Sequence, residues 1–225
     1  MKQLSIIGYG KMGRLVAQLA PEYDFSIHSK LDISDDLTAA AGADVAIEFT
    51  VPHAVADNVE KIASLGVPLV VGTTGWADDL PRVRAAVEKN NSALVWSPNF
   101  SIGVNVFSRL VHEAAKLLKD EPEYGAWAWE IHHNTKKDAP SGTLIKLVNE
   151  MRTAGYKHAI DTSSNRAGAH PGTHEIGFDS ISDTITLRHT ARSREGFARG
   201  ALKAAQWIIG KKGVYEFSEV LFGGK

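Results

Sequence analysis

The 225-residue sequence contains no cysteine. That excludes a disulfide framework, thiolate zinc sites, iron–sulfur clusters and a cysteine nucleophile together. It also lacks an excess of either charge. Lys and Arg number 25 against 26 Asp and Glu, a formal net charge of −1, so bulk electrostatics gives no reason to expect nucleic acid or an anionic membrane as partner. Long hydrophobic runs are missing too, and nothing approaches the roughly 20 apolar residues of a bilayer span. Met1-Lys2 lead directly into a short apolar run broken at Gly8, too short for a signal-peptide core, so the expected compartment is the cytoplasm. No internal repeat or low-complexity tract occurs. What remains, 44% hydrophobic and 23% charged residues, is the composition of an ordinary globular chain, long enough to bury a core without staples.

Residues 1 to about 100 alternate short β-branched runs with helical periodicity, which predicts successive βαβ units and a doubly wound parallel sheet of the Rossmann type. Leu4–Ile7, Phe25–His28, Val45–Phe49, Val67–Val71 and Ala93–Trp96 read as strands. Met12, Leu15, Val16 and Leu19 mark the first helix, with Val55, Val59, Ile62 and then Leu80, Val83, Val87 marking the next two. After about residue 101 the pattern changes to one long apolar helix and then strands. Thr173–Ser180 and Thr184–Ala191 are separated by Ser182-Asp183 and predict a hairpin within a second, antiparallel, α+β domain. A final helical stretch and extended tail can rejoin the first domain.

Gly8-Tyr9-Gly10-Lys11-Met12-Gly13 fits G-x-G-x-x-G between the first strand and the first helix. In that setting the glycines permit a tight turn and close approach to a pyrophosphate, which the helix N-terminus attracts. An NAD-selective site carries an acid at the end of the second strand. Here Ser29 and Lys30 follow that strand, suited to a 2′-phosphate, so NADPH is favoured over NADH, with both retained. Gly72-Thr73-Thr74 and Ser97-Pro98-Asn99-Phe100 end two further strands and are expected to contact the cofactor.

The densest chemistry is Glu130-Ile131-His132-His133-Asn134-Thr135-Lys136-Lys137-Asp138-Ala139-Pro140-Ser141-Gly142-Thr143. The segment leaves a strand, crosses a polar loop and enters a helix striped by Leu144, Leu147, Val148 and Met151. Backbone N–H groups of Gly142 and Thr143 lie in the first turn, where helix donors have no intrahelical partner, and form a carboxylate cradle. Histidine titrates near neutrality and lysine adds positive charge, which suits proton transfer to an anionic substrate. Adjacent strand residues face opposite sides, so His132 and His133 share a site only if the strand ends there. Two competing readings stay open: a metal site, for which no third ligand is evident, and loop histidines without a role. Another two-domain dehydrogenase and a nucleotide sensor that has lost its chemistry are the alternatives for the whole chain.

With these motifs, together with Glu48-Phe49-Thr50-Val51-Pro52 and Ser101-Ile102-Gly103-Val104-Asn105-Val106, the chain resembles the 4-hydroxy-tetrahydrodipicolinate reductases, also called dihydrodipicolinate reductases, of the diaminopimelate route to lysine. The resemblance implies hydride transfer from NAD(P)H to a small cyclic dicarboxylate. It implies His132 as proton donor or acceptor, Lys136 as second proton donor, and His133, Ser141, Gly142 and Thr143 as substrate contacts. It further implies cofactor binding by Gly8 to Gly13, Gly72 to Thr74 and Ser97 to Phe100, with no metal. The implied organisation is a dinucleotide domain over 1–102 completed by 194–225, and a substrate-binding and oligomerisation domain over 103–193 that builds a homotetramer. The chain is shorter than many members between residues 152 and 173. Arg188, Arg192, Arg194 and Arg199 are candidates for carboxylate binding, although exposed arginine is the default.

Overall fold

A computed structural model describes residues 1–223, which divide into two compact units: Met1–Ile102 with the described residues from Glu195 onward, and Gly103–Arg194. In chain order the elements are β1 (Lys2–Ile7), α1 (Lys11–Leu19), β2 (Phe25–Leu31), β3 (Val45–Glu48), α2 (Val55–Ser64), β4 (Leu69–Val71), α3 (Leu80–Lys89) and β5 (Ala93–Trp96). There follow α4 (Ile102–Leu118), β6 (Gly125–His132), α5 (Gly142–Thr153), β7 (Ile160–Arg166), β8 (Thr173–Asp179) and β9 (Thr184–Thr190). The chain then runs through α6 (Glu195–Ile208), β10 (Gly213–Glu216) and α7 (Phe217–Phe222).

The first unit is built on a six-stranded sheet in the order β10-β5-β4-β3-β1-β2, parallel throughout. Helices cover both faces, so the inner strands are apolar on both sides. Val45, Ala46 and Ile47 of β3 and all of β4 are buried, which is why these strands read as continuous hydrophobic runs. Period-two alternation divides them between two cores. Leu4, Ile6, Ile47, Val70 and Val95 pack with Val16 and Leu19 of α1 and with Ala201, Leu202, Ala205 and Ile208 of α6. Ile7, Ala46, Leu69, Val71 and Leu94 pack with Val59 and Ile62 of α2 and Val83 and Val87 of α3. At Gly200, α6 lies so close to the chain that a Cβ would stand 1.7 Å from the Phe100 carbonyl oxygen. From β1 the chain goes first to β2 on one side and then to β3 on the other, so the switch point of the sheet lies between β1 and β3.

The second unit is a four-stranded sheet ordered β7-β6-β8-β9. Ala128, Ile176 and Phe178 bury one face against Phe107, Val111 and Ala115 of α4 and Leu144, Leu147 and Met151 of α5. β8 and β9 form the expected antiparallel hairpin, closed by a hydrogen bond from the Ser180 backbone N–H to the Asp183 carbonyl at 2.9 Å. The sheet as a whole corrects the antiparallel expectation, because β6 and β7 are parallel. The helix between them explains this: parallel neighbours need a crossover, and α5 is that crossover. Among the described residues no helix is long and apolar enough to cross a membrane.

Candidate active site

In the first unit, each glycine of the fingerprint answers a separate steric demand. Gly8 has φ +87° and a Cβ there would lie 2.1 Å from the Phe49 carbonyl oxygen, so the turn after β1 tolerates no side chain. A Cβ on Gly13 would lie 2.2 Å from the Gly8 carbonyl oxygen, which fixes the close approach of helix to loop. Gly10, by contrast, opens onto free space. It is the N-cap of α1, makes no side-chain cap, and the first turn carries no acid. The α1 N-terminus is therefore left positive and accessible, as an anionic group requires.

This loop forms one wall of a cleft of about 500 Å³ beyond the strand ends, lined by Gly10, Lys11 and Met12, by Phe49, Thr50 and Pro52 after β3, and by Gly72, Thr73 and Thr74 after β4. The walls are tied together. Thr50 N–H donates to Thr73 Oγ1 at 2.7 Å, Trp76 Nε1 donates to the Thr73 carbonyl at 2.8 Å, and Gly72 leaves room for the Phe49 ring, which a Cβ would strike at 2.1 Å. Beneath them Glu48, fully buried, takes the Thr50 N–H at 3.1 Å and the Thr50 hydroxyl. Burial raises its carboxyl above the ordinary range despite hydrogen bonds from Thr50, Thr73 and Asn58. An open glycine cap, a free helix start and hydroxyls at the switch point fit a dinucleotide.

Ser29 and Lys30 lie within β2 rather than after it. Ser29 Oγ is 2.8 Å from Ser5 Oγ. Lys30 Nζ stands 5.0 Å from the centre of the Tyr9 ring, so this cation lies against the glycine loop. Ser97, Pro98, Asn99 and Phe100 are not brought into the cleft lining. They form a turn in which Ser97 Oγ accepts from Asn99 N–H at 3.1 Å, and Phe100 is a core residue against Phe217. Arg199 is taken up by Glu22 at 2.7 Å.

In the second unit, β6 ends at His132, so His133 starts the loop and is not bound by strand alternation. Its Nδ1 is 2.7 Å from Thr135 Oγ1. Lys136 Nζ grips the Asp138 carboxylate at 2.7 and 2.9 Å, and that contact holds Asp138 below the usual carboxylate range. Ser141 is the N-cap of α5: its Oγ accepts from Leu144 N–H at 3.1 Å, leaving Gly142 exposed and Thr143 half-buried at the first turn. Arg188 pairs with Glu175 at 3.4 Å, while Arg192 and Arg194 are exposed.

Two residues given no role from sequence complete this region. Glu130 precedes His132 by two positions, hence on the same face of β6, and His174 of β8 is its cross-strand partner. Glu130, His132 and His174 are all buried and bring one potential ligand atom each within 4.8 Å. The donor chemistry suits a metal ion, but the carboxylate's charge is already matched by the Arg166 guanidinium at 2.9 Å. Burial opposes ionisation of Glu130, yet hydrogen bonds from Ser141, Arg166 and Ser164 outweigh it and hold the carboxyl below its ordinary value. Burial lowers His132, with Glu130 acting in the opposite direction, and lowers His174 to about 4.

Comparison with known proteins places both units in one lineage. The family model "Dihydrodipicolinate reductase, N-terminus" matches residues 2–100, and "Dihydrodipicolinate reductase, C-terminus" matches residues 103–221. A 4-hydroxy-tetrahydrodipicolinate reductase of Christiangramia forsetii is 36% identical over 231 residues, covering 97% of each chain. One from Methanosarcina mazei is 35% identical, covering 98% of this chain and 89% of the relative. Among solved structures, a dipicolinate-bound dihydrodipicolinate reductase from Paenisporosarcina sp. TG-14 shares the fold with a TM-score of 0.81 at 21% identity, over 96% of this chain and 97% of that one. An aspartate dehydrogenase from Thermotoga maritima shares it more loosely, with a TM-score of 0.54 at 11% identity, over 94% and 98%.

Proposed function

This chain belongs to the dihydrodipicolinate reductase family, and we propose that it reduces the ring derived from 4-hydroxy-tetrahydrodipicolinate to tetrahydrodipicolinate, in the cytoplasm, in the diaminopimelate route to lysine. The observation that carries the reading is that one chain holds two complementary anion-receptive helix starts: the open Gly10 cap of α1 and the Ser141-capped start of α5, the latter with His132, His133 and Lys136 leading into it.

Gly8 to Gly13 and Gly72 to Thr74 hold the cofactor, and a bound reduced nicotinamide supplies the hydride. Lys30, against the Tyr9 face of the glycine loop with Ser29 beside it, receives a 2′-phosphate and favours NADPH, with NADH also used. Gly142 and Thr143 N–H groups and the Thr143 hydroxyl hold a substrate carboxylate, joined by Ser141 and His133. Lys136 leaves Asp138 for the substrate, exchanging one carboxylate for another. His132 manages the proton that reduction of the ring requires. Support for a homotetramer lies in the outer face of the second sheet, where Trp127, Trp129 and Ile131 stand half-exposed.

The test follows NADPH and NADH oxidation near 340 nm, roughly the absorbance maximum of reduced nicotinamides, with substrate generated from pyruvate and aspartate semialdehyde. Substrate-dependent oxidation, faster with NADPH and lowered at least about a hundredfold by His132→Gln, is the expected result. Cofactor binding without oxidation would favour a dehydrogenase acting on an amino or oxo dicarboxylate.

A further inference from the structure

Glu130 has no part in the roles above, yet its carboxylate is the meeting point of the second unit's polar groups. Oε1 accepts from the Ser141 backbone N–H at 2.8 Å, from Ser164 Oγ at 2.9 Å and from Arg166 Nη2 at 2.9 Å. Oε2 faces His132 Nδ1 at 3.3 Å and His174 Nε2 at 3.4 Å. Both Glu130 Oε2 and His132 Nδ1 are sealed from solvent, and among the described residues neither makes a hydrogen bond, so their 3.3 Å approach is a contact between two unpaired polar atoms. A proton on Nδ1 turned toward Oε2 satisfies both sealed atoms at once, which a proton donated from His174 Nε2 to Oε2 does not, and leaving both unpaired is costly.

We propose that Glu130 is a positioning residue for proton transfer: it fixes His132 as the Nδ1–H tautomer, leaves Nε2 to exchange a proton with the substrate, and registers that ring to the carboxylate cradle through the Ser141 N–H. The inference rests on the reading that His132 manages the substrate proton. Three features agree with it. A Cβ on Gly172, whose φ is +134°, would stand 2.9 Å from His132 Nε2, so the backbone there packs on the ring edge that carries this nitrogen and only glycine fits beside it. His174 packs edge-on against the His132 ring at 5.0 Å, and its Nε2 also lies 3.2 Å from Ser141 Oγ, so the second histidine braces the same two elements. Buried and next to His132, His174 stays neutral at neutral pH. The charged and titratable groups around His132 are then Glu130, Lys136, Arg166, Asp138 and His174, with His189 beyond His174. Of these Glu130 is the closest anion, and it favours the protonated ring that burial disfavours.

The decisive measurement needs no variant at the hub: nitrogen NMR of the whole protein labelled with 15N-histidine, His132 being assigned by the signals that His132→Gln removes. A neutral His132 protonated at Nδ1 supports the proposal; protonation at Nε2 overturns it. So does saturable binding of Zn²⁺ that displaces the His132 and His174 signals, since the cluster would then be a metal site. Glu130→Gln should lower kcat at least about tenfold, shift the acid–base limb of kcat/KM against pH, and leave cofactor KM unchanged. An unshifted profile in a folded variant overturns the positioning role. If His132→Gln is itself active, the proton role given to His132 in the proposed function fails first and the catalytic half of this inference with it, whereas an Nε2–H tautomer beside an inactive His132→Gln defeats the inference alone.

Discussion

Glu48 in the first unit and Glu130 in the second are both fully buried near the ends of strands that lead into candidate sites, yet their ionisation moves in opposite directions. Among the described residues Glu48 meets the Thr50 and Thr73 hydroxyls, the Asn58 amide and one backbone N–H but no cation, and its carboxyl is raised. Glu130 meets a backbone N–H, a hydroxyl and the Arg166 guanidinium, and is lowered. Burial alone therefore does not decide whether a carboxylate keeps its charge; the decision lies with the partners that replace water. In the first unit's cleft the result is a hydrogen-bonding floor beneath Thr50 and Thr73 whose charge burial opposes. In the second unit it is a fixed negative charge against which two histidines are set.

The contrast breaks most severely at Arg166. Arg166→Met strands the Glu130 charge and should cost about 3–5 kcal/mol, the penalty for leaving half of a buried ion pair, read as a lower urea midpoint. A smaller loss would mean that Ser141 and Ser164 alone hold the charge. Acid provides a second lever. An unfolded histidine binds its proton near 6.5 and folded His174 only near 4, so the unfolded chain takes up more protons between those values. Stability should therefore fall by ~2–3 kcal/mol as pH drops from 6.5 to 4, with the lowered Glu130 adding further loss below its ordinary range. His174→Phe should flatten that slope in pH-dependent denaturation curves. The smallest effect belongs to the first unit. Glu48→Gln replaces an acid whose charge burial opposes by a neutral amide of the same shape and should change stability by less than about 1 kcal/mol, leaving cofactor affinity within twofold in fluorescence titration.

The sequence made the first sheet legible because its strands are apolar on both faces and its helices keep one stripe, so Val45–Ile47 and Leu69–Val71 announce themselves. The polar strand β7 did not. Ile160-Asp-Thr-Ser-Ser-Asn-Arg has one apolar residue in its run because an edge strand pairs through backbone on one side and needs no buried face. Missing it also hid the parallel pairing with β6. In the site, the glycine fingerprint and the His132-to-Thr143 segment are local and could be read along the chain. Glu130 was within reach, two positions from His132 on a strand, but nothing local assigns it Arg166 or Ser164 as partners. His174 is invisible to any local pattern, since only the β6–β8 register brings it opposite Glu130. Ser97 to Phe100 stand apart from the local motifs: the strand-end turn is legible in the sequence, but it does not line the cleft formed by the glycine loop and the turns after β3 and β4.

The place of α6 and β10 carries a consequence for how the chain is made. β10 closes the edge beside β5, and α6 supplies much of one core of the first unit, yet both are encoded after the whole second unit. As the polypeptide emerges from the ribosome, β1 to β5 are present while Leu4, Ile47, Val70 and Val95 still lack α6. The second unit, whose elements are contiguous, can finish folding during that interval. The first must wait with an apolar sheet face exposed, so the nascent chain's need for chaperone protection is concentrated in its oldest residues.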